Sequence, residues 1–173
     1  NLNSNIPFKG FPFDKKNDDF IIFSGGSLYK TFDKGLTYYN LIIYCLECSK
    51  NVKFWYAGEG NISEITKLQD LYPKRVYYTK EREDLFQIML NSDMYIDTYP
   101  IGGGLMLQFA AMAGLAPLTL CEDDSDAGSL IDGEHLIFKS INKYKETLKK
   151  YIQDKDYKKE LDASIKTSVI KKD

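Results

Sequence analysis

Apolar runs of strand length alternate along the chain with stretches whose apolar positions recur at helical spacing. That alternation predicts a parallel sheet with helices on its faces. Phe20-Ile21-Ile22-Phe23 predicts a fully apolar first strand, Val52 to Ala57 a second, Arg75 to Tyr78 a third, Met94 to Thr98 a fourth and Ala116 to Cys121 a fifth. A short last strand is expected over Glu134 to Phe138. Helices are expected from Leu36 to about Cys48, from Ser63 to Tyr72, from Glu83 to Asn91 with Leu85, Phe86, Met89 and Leu90 on one side, and from Leu105 to Ala113. Ser63 to Thr66 offers capping hydroxyls and Pro73 a stop. The Lys-rich stretch from Ile141 to about Ile165 predicts one or two amphipathic helices. The expected fold class is α/β, a Rossmann-like three-layer α/β/α domain over residues 20–173. Residues 1–19 read as a linker or the end of a preceding domain.

In such sheets ligands sit beyond the carboxyl ends of the strands. Ser24 to Ser27, Gly58 to Gly60, Tyr78 to Lys80 and Thr98 to Gly104 are all expected on that edge. The last of these carries the most information, because Met94 to Thr98 runs through a turn into Gly102-Gly103-Gly104 where a helix begins. A helix start leaves several N–H donors unpaired and carries partial positive charge, so it can hold a phosphate without metal. Glycine lets the anion come close and permits positive φ angles. The same three residues also suit a plain strand-to-helix turn, and they match neither the dinucleotide fingerprint nor the P-loop.

Composition narrows the classes. The chain has 173 residues, 43% hydrophobic and 28% charged with a formal net charge of −2, enough for one domain with a real core and no polyanion signature. Nucleic acid is not expected as a partner. No apolar run approaches the ~20 residues of a membrane span, and the start lacks the regions of a signal peptide, so the expected location is cytoplasmic. The absence of an initial methionine leads us to expect a piece of a longer protein. The three cysteines argue against a disulfide framework, and Cys45 and Cys48 fall late in a helix, away from the start that would favour a thiolate.

The order of landmarks resembles the carboxy-terminal, donor-binding half of GT-B glycosyltransferases, the "glycosyl transferases group 1" set. Asp33-Lys34-Gly35 is similar to the lysine-glycine after the first strand, and Phe54 to Gly60 to the strand ending in Gly-Glu-Gly. Gly102 to Gly104 leading to Ala111-Met112-Ala113-Gly114-Leu115-Ala116-Pro117 is similar to the diphosphate loop, its helix and the exit to the next strand. Gly128 to Glu134 is similar to the late segment before the last small strand. The resemblance covers about residues 20–151.

It implies one half of a GT-B fold and a bacterial-type enzyme of polysaccharide or glycoconjugate assembly. The substrate would be a nucleoside-diphosphate sugar, with no cofactor and no metal. Its diphosphate would lie on the backbone of Gly102, Gly103, Gly104 and Leu105, with Lys34 stabilising the leaving group. The base would lie near Tyr78, Thr79 and Lys80, residues that serve equally well as the surface of a strand end. Two departures stand out. Ser27 occupies the place of an arginine, with Lys30 nearby, and Gln108, or Phe109 if the register is set from Gly114, stands closest to the usual ribose-binding glutamate; the amide of a glutamine can still bond a sugar hydroxyl. The partner implied is an N-terminal acceptor-binding domain of the same protein, possible peripheral membrane contact would come through that part, and the fragment alone is expected to be inactive. A non-catalytic glycosyltransferase-like binding domain and a sugar-nucleotide epimerase of the same fold are the alternatives. Asp124-Ser125-Asp126 reads as a solvated acidic loop and His135 as structural.

Overall fold

A computed structural model describes residues 5–122 and 136–170. Four parallel strands form the main sheet in the order β3-β2-β1-β4: β1 (Phe20–Gly25), β2 (Val52–Ala57), β3 (Val76–Thr79) and β4 (Met94–Tyr95). A parallel pair, β5 (Thr119–Leu120) with β6 (Ile137–Phe138), continues the α/β pattern. The helices are α1 (Thr37–Cys48), α2 (Ser63–Leu71), α3 (Leu85–Leu90), α4 (Gly104–Met112), α5 (Ile141–Gln153) and α6 (Lys155–Ile170).

Successive strand residues point to opposite faces, and both faces are covered. Ile22, Phe54 and Met94 pack on one side with Leu41, Ile42 and Cys45 of α1 and Tyr144 and Leu148 of α5. Phe23, Trp55 and Tyr95 pack on the other with Ile88 and Met89 of α3 and Leu107 and Ala110 of α4. This is the Rossmann-like three-layer arrangement, and its strands read as continuous apolar runs because neither face meets water.

Residues 5–19 lie against the second face. Phe11 and Phe13 cover Trp55, with ring centroids 6.2 and 6.4 Å away, and Phe13 tilts over Tyr77 at 4.6 Å. Lys53 Nζ donates to Asp19 at 2.7 Å and to the carbonyl of Asp14 at 3.1 Å, which fixes the entry to β1.

Several boundaries differ from the sequence expectation. The fourth strand stops pairing at Tyr95 because Asp97 and Thr98 turn to other partners. The fifth shrinks to Thr119–Leu120; Pro117 has no N–H to give to a ladder, and Leu118 N bonds back to Ala116 O. The third begins one residue late, since the guanidinium of Arg75 donates to the carbonyls of Leu46, Ser49 and Val52 and closes the carboxyl end of α1. In α3 it is Ile88 that is buried beside Met89, while Leu90 is exposed. No hydroxyl caps α2; Ile62 holds the cap position and Asn61 Oδ1 accepts from Ser63 N at 3.0 Å. The late helices run on to Ile170. Asp124 to Asp126, Gly128 to Glu134 and His135 lie outside the described residues.

Candidate functional site

The carboxyl ends of β1, β2 and β3 are stitched together by backbone bonds. Gly26 N donates to Ala57 O at 3.1 Å, Leu28 N to Glu59 O at 2.9 Å and Gly58 N to Thr79 O at 3.1 Å. Two tyrosines brace the same carbonyls, Tyr56 Oη donating to Gly26 O at 2.8 Å and Tyr78 Oη to Gly58 O. Gly26 has a φ of +133°, a conformation other residues rarely take.

Above this floor is a cavity of about 210 Å³. Gly26, Ser27 and Lys30 line it from the loop after β1, Gly58 and Glu59 from the loop after β2, and Glu81 and Arg82 from the loop after β3. Met106 of α4 and Leu85 of α3 close it. Lys30 is half-buried there and forms no ion pair among the described residues. Its carbonyl accepts the N–H of Ile101 at 3.4 Å, so the loop that carries it touches the glycine turn. Lys34 is exposed at the end of the following 3₁₀ turn and does not line the cavity.

The glycine turn is organised by Asp97, a residue that is 2% exposed. Its Oδ1 accepts from Thr98 N at 2.9 Å and Gly103 N at 3.0 Å, and its Oδ2 accepts from Thr119 Oγ1 at 2.6 Å, which ties the turn to β5. Burial pushes its carboxyl up to about 6, and only the bonds from Thr119, Gly103 and Thr98 and the charge of Lys30 limit the rise. None of Gly102, Gly103 and Gly104 takes a positive φ, so the turn does not use the backbone freedom that glycine permits. A Cβ on Gly103 would make only ordinary contacts with the protein, at 3.6 Å to Met106 and 3.7 Å to Tyr95 Oη. The Gly103 amide is already spent on Asp97. The first intrahelical bond of α4 is Leu107 N to Gly103 O, and no side chain caps the helix. The amides of Gly104, Leu105 and Met106 therefore have no helical acceptor.

The remaining sequence candidates divide. Ser27 is exposed at the cavity wall, and Leu105 is exposed on the first turn of α4. Gln108 stands one turn into α4, half-buried between buried Leu107 and Phe109. Tyr78 and Thr79 are engaged inside the domain, Tyr78 with Gly58 O and Thr79 Oγ1 with Trp55 Nε1 at 3.0 Å. Their place on the cavity wall is taken by Glu81 and Arg82.

Arg82 is itself fixed. It makes two 2.8 Å bonds to Asp84, one of 3.0 Å to Gly10 O, and lies 5.1 Å above the Trp55 ring. The sequence reading missed Asp97, Arg82 and Tyr95. A lone carboxylate at the end of an apolar strand was the available signal for Asp97. Glu81 to Asp84 looks in sequence like any solvated charge run.

No protein-family profile and no curated protein sequence matches the chain. Solved structures do. An O-GlcNAc transferase of Thermobaculum terrenum superposes with a TM-score of 0.70 at 16% identity, over 95% of this chain and 34% of that one. WaaG, a glycosyltransferase involved in lipopolysaccharide biosynthesis, gives 0.63 at 19% identity, over 90% and 44%. Anabaena HepE, solved in complex with UDP and glucose, gives 0.65 at 14% identity, over 89% and 44%. The chain thus has the fold of a GT-B glycosyltransferase domain, and it spans less than half the length of each of these structures.

Proposed function

We propose that this domain binds the nucleoside-diphosphate-sugar donor of a glycosyltransferase. The observation that carries the reading is the cleft at the carboxyl edge of the sheet, where Lys30, without an ion pair among the described residues, and the open amides at the start of α4 stand on touching segments. Both are positive, Lys30 by its full charge and the amides by the partial charge of a helix start, and Lys30 shares the cleft with Glu59 and Glu81.

In sugar transfer the bond from the anomeric carbon to the β-phosphate oxygen breaks, and the nucleoside diphosphate leaves with the electron pair. Lys30 and the amides of Gly104, Leu105 and Met106 would stabilise that developing charge in place of a metal. In this role Lys30 fits better than Lys34, because it lines the cleft. Ser27, Gly102 and Gln108 remain donor contacts, and Gly103 serves by leaving room. The base would meet the wall made by Glu81 and Arg82.

The acceptor and the groups that activate it would come from the rest of a longer protein, so this piece alone would bind donor and transfer little sugar. WaaG's involvement in lipopolysaccharide biosynthesis supports a role in glycoconjugate assembly. The test is calorimetric titration of the chain with UDP, GDP and their sugars in EDTA. Saturable binding of one nucleotide is expected. No binding of any of them at millimolar concentration, by this chain or by the full-length protein, would overturn the reading in favour of a domain that has lost its ligand.

A further inference from the structure

Two buried polar groups lie beneath the glycine turn. Tyr95 is fully buried, and its hydroxyl has no hydrogen-bond partner among the described residues. It is aimed at the turn, 3.7 Å from where a Cβ on Gly103 would stand. Asp97 is the second. Its carboxylate is 3.0 Å from Gly103 N, one residue before the first open amide of α4.

We propose that Asp97 is the charge gate of the glycine turn: as a carboxylate it opposes a diphosphate at the amino end of α4, and binding of that diphosphate draws a proton onto it. The inference rests on the donor-site reading above. A negative charge this close to the amides lowers their attraction for an anion, and burial weakens the screening that water would provide. Neutralisation costs little geometry. A proton from solvent on Oδ2 leaves Oδ1 to accept from Thr98 N and Gly103 N, while Thr119 Oγ1 turns from donor to acceptor.

The neighbouring phenols stay neutral while this happens. Lys30 is the cation whose charge acts on Asp97. Tyr38 of α1, Tyr95 of β4 and Tyr144 of α5 face the carboxylate, and burial holds all three phenols far up in the neutral form. With burial already lifting Asp97 to about 6, a nearby anion moves its titration through neutral pH.

Asp97→Asn is a shape-matched mimic of the protonated state, since its Oδ1 can accept both amides and its Nδ2 can donate to Thr119 Oγ1. The test is titration of wild type and Asp97→Asn with UDP-glucose, and with GDP-mannose if UDP fails, from pH 5 to pH 7.5. These diphosphodiesters do not titrate in that range. Wild-type affinity is expected to fall about tenfold from pH 5 to pH 7.5, as for a one-unit shift on binding, with uptake of about half a proton measured at pH 6.5 from the buffer dependence of the heat. Asp97→Asn is expected to bind at pH 7.5 as wild type does at pH 5, without pH dependence. Parallel pH profiles for the two proteins, or weaker binding by a folded Asp97→Asn, would overturn the gate while leaving the donor site standing. Absence of binding by either protein at any pH would overturn both.

Discussion

The α-carbon of Gly58 lies so close to the carbonyl of Gly26 that a Cβ there would stand 2.0 Å from the oxygen. Neither side can yield. Gly26 is bonded through its N–H to Ala57 O and through its carbonyl to Tyr56 Oη, and Gly58 N is bonded to Thr79 O. Gly58→Ala is therefore expected to cost about 3 kcal/mol, read as a lower urea midpoint. Gly103→Ala is its counterpart. At φ −103° and with ordinary contacts around the new carbon, it is expected to change stability by less than about 1 kcal/mol while weakening nucleotide binding. A large loss of stability in Gly103→Ala would mean that the glycine serves the turn and not a ligand.

A second expectation concerns residues 5–19. Asp84, 1% exposed, accepts Lys9 N at 2.8 Å and two bonds from Arg82, whose Nη2 also reaches Gly10 O. Burial alone would raise the Asp84 carboxyl, yet the bonds from Arg82 and from the Lys9 amide outweigh it and hold it below 3.8. Its stabilisation is thus present above that value and lost as the pH falls through the lower folded value. Asp84→Ala leaves Arg82 without its acid and the segment without its anchor, at a cost of about 3 kcal/mol. Trp55 is the single tryptophan and is covered by Phe11 and Phe13. Its emission should move to longer wavelength in Asp84→Ala before global unfolding in urea. Coincident transitions at every wavelength would show that the segment is not released separately.

A third expectation separates the two lysines after β1. Lys30 lines the cleft and Lys34 does not, so Lys30→Ala should weaken UDP binding at least about tenfold, the loss of one hydrogen bond to a charged group. Lys34→Ala should change it less than about twofold, as expected of an exposed charge partly screened by salt. The reverse order in calorimetry would return the role to Lys34 and with it the position that the family resemblance implies.

That contrast also shows what could be read from the sequence. The layers were legible because strands covered on both faces are apolar throughout, as in Phe20 to Phe23, and because Gly102 to Gly104 interrupts such a run where a helix starts. Strand ends were less so, since Asp97, at the end of the fourth run, is taken up by side-chain bonds to the turn and to Thr119 that local preference does not foretell. The site was legible as an edge and not as a set of groups. Tyr78 and Lys34 look in sequence like ligands, and only packing shows that Tyr78 is bound to Gly58 O. Arg82 looks like a surface charge, and only its bonds to Asp84 and Gly10 place it on the wall. Asp97 looks like part of a strand, and only its burial makes it the residue on which the turn depends.

The last expectation tests that burial without any ligand. Asp97 titrates at about 6 in the folded protein against an ordinary 3.8, so its protonated form favours folding. The contribution is complete below 3.8 and is lost as the pH rises through about 6. The difference corresponds to about 3 kcal/mol. Asp93, whose carboxyl burial also raises, and Asp14, Asp19 and Asp84, whose carboxyls are lowered, titrate in both proteins. They cancel when wild type and Asp97→Asn are compared at each pH. Asp97→Asn should therefore be the more stable protein at pH 7.5, by up to about 3 kcal/mol, and the gap should close towards pH 4. Urea denaturation of both proteins at a series of pH values measures it. A gap that does not change with pH would mean that Asp97 is ionised in the folded state throughout, and that its three hydrogen bonds already outweigh its burial.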